Sequence, residues 1–189
     1  LRLAAAQMKA AVRPAARPYV DSDNDHILAS ARTFGDADYV FAINDKRAFG
    51  DYVGAWRRVL EKGLPNAGEV YVERKAGAVY DLVRHKAVPF KVKNGRTVIP
   101  VSYQTNDGKA LLIVSKPLGE LKVRVSGTYV RVSASEDRVL IPIEVRVDGE
   151  KPFYAVVKNG VWERDFGAQV KDATVVNLAD GQVGKATEM

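Results

Sequence analysis

From Tyr39 onward the chain is written in short apolar runs separated by turn residues. "YVFAIN", "EVYVER", "AVYDLV", "VPFKVK", "RTVIPVSY" and "ALLIVS" read as strands, several with apolar and polar residues at alternate positions, the period that puts one face in a core and the other in water. Asn94-Gly95 stands between Val88, Phe90 and Val92 on one side and Val98, Ile99 and Val101 on the other. Asn-Gly in that setting predicts a two-residue hairpin turn, because both positions tolerate positive φ. Asp107-Gly108, Asp148-Gly149, Asn159-Gly160 and Asp180-Gly181 repeat the device, which predicts a mainly antiparallel β protein.

The start of the chain follows other rules. "LRLAAAQMKAAV" is built from strong helix formers, and Pro14 and Pro18 end the pattern. In "DSDNDHILASARTFG", Asp23, Asn24 or Asp25 can cap a second short helix with Ile27, Leu28 and Ala31 on one face, and Gly35 suits the position just past its end. Pro117 and Gly119 in "SKPLGE" interrupt the strand pattern, and "LKVRV" opens a second β unit. There Val139, Ile141, Ile143, Val145 and Val147 fall on one face of a strand with Glu144 and Arg146 on the other. Pro142 within that run points to an edge strand or a bulge, since it cannot donate to a ladder.

The predicted fold is therefore mainly β: two antiparallel β-sandwich-like units with a short N-terminal helical segment. The predicted boundaries are 1–36 for the helical lead-in, 37–118 for the first sandwich and 119–189 for a smaller immunoglobulin-like unit. The stretch "KRAFGDYVGAWRRVLEKGLPNAG", with Phe49, Tyr52 and Trp56 among Gly50, Gly54, Gly63 and Gly68, reads as a long irregular connection.

Composition narrows the function classes. Of 189 residues, 47% are hydrophobic and 28% charged, and the mean hydropathy is -0.18, as in a globular rather than a disordered or membrane chain. No apolar run approaches the roughly 20 residues of a membrane helix, so no membrane span is expected. With no cysteine, disulfides, thiolate catalysis and cysteine zinc sites are excluded together. The net charge is +6, but Arg2, Lys9, Arg13 and Arg17 lie together without an acid, while elsewhere both signs alternate; charge patterning thus favours a solvated surface over a nucleic-acid partner. The start at Leu1-Arg2, without a signal-peptide layout, is read as that of a fragment of something longer.

Candidate chemistry is sparse. Asp21, Asp23 and Asp25 alternate as a calcium loop begins, but the sixth position is His26 rather than Gly and the twelfth Arg32 rather than Glu, so helix capping is the favoured role. Asp81 and His85 could be drawn into a triad with Ser102 or Ser115, yet neither serine stands in a nucleophile elbow. "DGQVGKAT" lacks the phosphate-loop spacing. The acid pairs Asp36 with Asp38 and Asp45 with Asp51 are weak glycosidase candidates. The expected catalytic, metal and cofactor sets are all "none"; Tyr52 and Trp56 are the candidate carbohydrate-binding residues, since an aromatic ring can cover the apolar face of a sugar.

Together "DADYVFAIND", "VYDLVRHKAVPFKVKNGRTVIPV" and "DGKALLIVS" resemble the all-β region that follows the (β/α)8 barrel in many glycoside-hydrolase-like bacterial proteins. Tyr39, Phe41, Ile43 and Asn44 match the opening strand, Tyr80, Asp81 and Leu82 a "Tyr-Asp-Leu" strand, and Leu111 to Val114 the closing strand. The resemblance implies a non-catalytic accessory region of a larger exported protein, followed by an immunoglobulin-like module, with the preceding catalytic domain and polysaccharide as partners and an extracytoplasmic location. The family's catalytic carboxylates belong to the barrel and match no position here. The alternative is an immunoglobulin-like structural or adhesive surface module with no enzyme attached.

Overall fold

The computed structural model describes residues 2–12, 18–53 and 58–188. Among them one helix, α1 (Arg2–Val12), precedes a succession of strands. The amino-terminal unit is built from β1 (Val20–Ser22), β2 (Ile27–Phe34), β3 (Ala37–Asn44), β4 (Arg47–Val53), β5 (Arg58–Gly63), β6 (Asn66–Val72), β7 (Ala78–Asp81), β8 (Lys86–Ala87), β9 (Lys91–Lys93), β10 (Arg96–Tyr103) and β11 (Gly108–Val114). Its two main sheets have the orders β1-β6-β10-β9 and β2-β3-β11-β7-β8, while β4 and β5 form a separate two-stranded hairpin. The predicted turn is present: Lys93 pairs with Arg96, and Asn94 and Gly95 both take positive φ, 52° and 79°.

The sandwich core follows from strand parity. Val40 and Ala42 of β3, Val70 and Val72 of β6, Ile99 and Val101 of β10, and Leu111 and Ile113 of β11 meet between the sheets. The opposite parity of the second sheet is covered as well. Ala37, Tyr39, Ala78, Tyr80, Leu112 and Val114 pack against the carboxy-terminal unit. That explains the uninterrupted apolar run Leu111 to Val114, in which every residue is buried: a strand sandwiched on both faces has no use for alternation.

The carboxy-terminal unit comprises β12 (Lys122–Ser126), β13 (Tyr129–Ser133), β14 (Ile141–Val147), β15 (Phe153–Val157), β16 (Val161–Asp165), β17 (Ala173–Asn177) and β18 (Val183–Glu188). They form one sheet in the order β15-β14-β17-β18-β12-β13-β16, with one parallel pair, β12 and β18. The sheet curls until β15 and β16 meet at the Asn159-Gly160 turn, where Lys158 and Val161 exchange hydrogen bonds at 3.2 Å. The five predicted core residues from Val139 to Val147 are all buried, and Arg146 donates from Nε to Glu144 Oε1 at 2.6 Å on the outer face.

Four local expectations are corrected. The second helix is a strand: Ile27 to Phe34 pairs with Asn44 to Ala37 over eight residues, so long-range pairing outweighs a helical spacing that three apolar residues only weakly specify. The stretch after Arg47 is a hairpin, with Arg47 opposite Gly63 and Val53 opposite Arg58. Pro142 lies in β14, flanked by β15 and β17 rather than at an edge. Its carbonyl still accepts from Leu178 N at 2.9 Å at the end of the β14–β17 ladder, so only the reciprocal terminal bond is missing. At the β10–β11 turn positive φ belongs to Asn106, at 55°, rather than to Gly108.

Candidate functional site

The stretch that most resembles an active site is a structural turn. Asp81 ends β7 almost wholly buried, and its Oδ1 accepts from Val83 N at 2.9 Å and Arg84 N at 3.0 Å. Lys109 Nζ stands 3.8 Å from the other carboxylate oxygen. This satisfies backbone donors that a buried chain reversal would otherwise orphan. The turn closes on His85 at φ 51°, whose Nδ1 donates to the Leu178 carbonyl at 2.7 Å. Asp81 and His85 thus serve a turn, and the histidine reaches the carboxy-terminal unit rather than a serine.

His85 is one point of a polar seam between the two units. The Tyr39 hydroxyl donates to Leu140 O at 2.7 Å and accepts from Leu140 N at 2.8 Å. The Tyr80 hydroxyl accepts from Leu118 N at 2.9 Å, and Asp36 N donates to Arg138 O at 2.9 Å. Two glycines mark the closest backbone approaches. A Cβ on Gly35 would fall 2.3 Å from Arg138 O, and one on Gly181 would fall 2.9 Å from His85 O, both at positive φ. The seam is backbone-specific, apolar beneath and polar at its rim.

Burial pushes the Tyr39 hydroxyl up to about 12, against the lowering effect of its Leu140 bond. The raised value means that the folded protein keeps a proton the unfolded chain gives up, so this contribution is complete below pH 10 and is lost as pH rises toward 12. Urea midpoints measured from pH 8 to pH 12 are expected to fall through that window, and less steeply in Tyr39→Phe, which starts about 1–3 kcal/mol less stable because Leu140 loses both partners. Identical alkaline slopes in the two proteins would exclude Tyr39 as a source of the dependence.

Asp23 of the acidic triplet and its neighbour Asn24 are likewise committed, though not to a helix. Asp23 Oδ1 accepts from Glu69 N at 2.7 Å, Asn24 Oδ1 from His26 N at 3.0 Å, and Asn24 Nδ2 donates to Asn66 Oδ1 at 2.8 Å. The segment pins the β1–β2 link to β6. Of the acid pairs, Asp36 faces Arg138 at 3.4 Å, Asp38 is enclosed with Tyr19, Thr33 and Arg74, and Asp45 pairs with Arg47; Asp51 has no described side chain. Among the described residues no group of three His, Cys, Asp or Glu could hold a metal ion, and no helix is long and apolar enough to cross a membrane.

Of the two candidate sugar contacts, Tyr52 has a described backbone, opposite Val59 in the hairpin, but its side chain lies outside the described residues, as does Trp56 altogether. The hairpin's root is well defined. Asn44 Nδ2 donates to Leu64 O at 2.8 Å and Gln104 O at 3.1 Å, while its Oδ1 accepts from Lys46 N at 3.1 Å. Beside it Asn44, Asp45, Lys46, Arg47, Gly63 and Asn106 line a hollow of about 240 Å³, below the roughly 300 Å³ at which ligand pockets begin. A larger hollow of about 540 Å³, lined by Ser126, Gln169, Lys171 and Asp172, contains none of the unpartnered buried polar atoms. No protein-family model matches the chain, and no curated protein sequence matches it.

Proposed function

We propose that this chain is a non-catalytic accessory region of a larger exported glycoside-hydrolase-like protein, where it stabilises the catalytic domain and contacts carbohydrate through Tyr52 and Trp56. One observation carries the non-catalytic half: the two buried carboxylates among the described residues, Asp38 and Asp81, are both spent on holding the fold together. Catalytic acids instead show environments that pull their proton affinities apart beside an accessible pocket. The resemblance of the strand pattern to barrel-appended β regions supplies the parent, and fold analogy by itself supplies no activity.

An antibody against this chain tests the reading in the source cells. A polypeptide far above 20.7 kDa, found outside the cytoplasm and carrying a barrel with two carboxylates upstream, is the expected result. Tandem β units upstream would favour the adhesive surface module, and a 20.7 kDa species would end the accessory-region reading. For the sugar contact, Tyr52→Ala and Trp56→Ala are expected to weaken retention on insoluble polysaccharide several-fold with a melting temperature shift under about 2 °C, about 0.5 kcal/mol on this size of domain. Unchanged retention with a clear fall in melting temperature would give both residues a packing role instead.

A further inference from the structure

The tripeptide Lys-Asn-Gly occurs twice, at Lys93-Asn94-Gly95 and at Lys158-Asn159-Gly160. Both copies make a tight turn with the same backbone: φ is 52° and 79° at Asn94 and Gly95, and 54° and 74° at Asn159 and Gly160. The residues of the two turns are therefore matched, and a difference in their behaviour comes from what surrounds each.

The surroundings differ. Asn94 and Gly95 are both exposed, and a Cβ on Gly95 would meet nothing within 4 Å. The strand that leads into them, β9, is exposed throughout and lies at the edge of its sheet, paired with β10 alone. Asn159-Gly160 instead closes the curled carboxy-terminal sheet. Gly160 O accepts from Ala134 N at 2.9 Å, and a Cβ on Gly160 would lie 3.3 Å from Ala134 O. On either side Val157 pairs with Ile141 and Val161 with Ser133, so this turn moves only if two further strands give way. Local opening breaks few bonds at the first turn and many at the second.

We propose that Asn94 is a site of spontaneous deamidation, that the fold shields Asn159 from the same reaction, and that the product at Asn94 detaches β9 from the sandwich. Once the turn opens, the Gly95 amide nitrogen attacks Asn94 Cγ, and the absence of a side chain on Gly95 leaves the approach unhindered. The N–Cγ bond forms, the Cγ–Nδ2 bond breaks, and ammonia leaves with the Gly95 amide proton. Water, the only co-reactant, then opens the resulting succinimide. Hydrolysis between Gly95 N and Cγ gives aspartate on the original backbone. Hydrolysis between Gly95 N and the carbonyl carbon of residue 94 gives isoaspartate, whose chain runs through Cβ and Cγ. The added backbone atom lengthens a two-residue loop, so Lys93 no longer stands opposite Arg96. β9 then leaves β10, and Phe90, which directly precedes β9 and packs against the sandwich core, loses its anchor.

Purified protein aged in warm, mildly alkaline heavy-oxygen water tests this, with peptides mapped by mass spectrometry and fragmentation separating isoaspartate from aspartate. Labelled product at Asn94 is expected to form about tenfold faster than at Asn159, the factor supplied by one or two additional hydrogen bonds. In the urea-unfolded chain the two rates should converge, because the tripeptides are identical. Trypsin is expected to cut after Lys91 several-fold faster in the aged protein than in fresh protein or in fresh Asn94→Asp, which carries the new charge on an unaltered backbone. Equal rates in the folded protein, faster reaction at Asn159, or no product at Asn94 would overturn the site. A rate difference that persists in urea would trace the selection to sequence neighbours and overturn the shielding. An unchanged Lys91 cut in molecules that contain isoaspartate would overturn the release of β9.

Discussion

Leu112→Ala is expected to lower the unfolding free energy by about 3 kcal/mol, within the range for deleting a buried leucine whose surroundings relax only partly. The informative comparison is Ile113→Ala, one residue along the same strand. Both side chains are fully buried, but Leu112 belongs to the core shared with the carboxy-terminal unit and Ile113 to the core between the two sheets of the sandwich. Similar losses in total stability are therefore expected from cavities on opposite faces of β11. Hydrogen exchange separates them. Leu112→Ala should speed exchange at the Leu118 and Leu140 amides, which bond across the seam to Tyr80 and Tyr39, whereas Ile113→Ala should act first on the β6–β10 ladder. If Leu112→Ala left the seam amides as protected as before, the two units would not share a core in the sense described.

The contrast between those two residues also shows what the sequence discloses. The alternation from Val139 to Val147 announces a strand buried on a single face, and that reading, which rests on side-chain period alone, holds; the run "LLIV" announces only an apolar strand, and its burial on both faces emerges from the carboxy-terminal unit packed against one side and the opposite sheet against the other. Asn94-Gly95 and Asn159-Gly160 take positive φ at both positions because the requirement is local. The segment 23–35 fails for the opposite reason: Ile27, Leu28 and Ala31 fit a helix face as well as a strand, and the choice is made by eight residues of β3 that local pattern cannot supply. The β4–β5 hairpin was hidden by Gly50 and Gly54, which punctuate its alternation, and by a register shift between Phe49 and Tyr52.

At the site, legibility is lower still. Tyr39 meets Leu140 across 101 positions, and nothing near either residue names the other. Asp81 carried a usable signal, an acid at the end of an apolar strand, which indicates either chemistry or a capped turn; only its bonds to Val83 N and Arg84 N decide for the turn. The net charge of +6 was visible from the start, but not that one basic segment forms a hairpin which, among the described residues, pairs with no other strand.

Asp38→Ala should match the leucine substitution in size through a different mechanism. Asp38 is completely buried at the end of the sandwich, where its Oδ1 accepts from Thr33 Oγ1 at 2.7 Å and its Oδ2 from the Tyr19 hydroxyl at 2.5 Å. Arg74 Nη1 stands 3.1 Å away in an ion pair without hydrogen-bond alignment. One carboxylate thus ties β3 to the residue leading into β1 and to the one leaving β6, on the opposite sheet. Removing it leaves the guanidinium without its counter-charge and two hydroxyls without an acceptor, which for a buried pair costs about 3–5 kcal/mol. The lower end is expected, because the Arg74 side chain keeps 21% of its surface in water. Asp38→Asn, which retains an acceptor for the hydroxyls, should lose less. An independent readout comes from Tyr19, raised to about 12 first by burial and next by its bond to Asp38. In Asp38→Ala its tyrosinate absorbance should rise at lower pH than in the parent, measured against a Tyr19→Phe reference. A stability change under 1 kcal/mol with an unmoved Tyr19 titration would mean that the two sheets are joined at this end by packing alone.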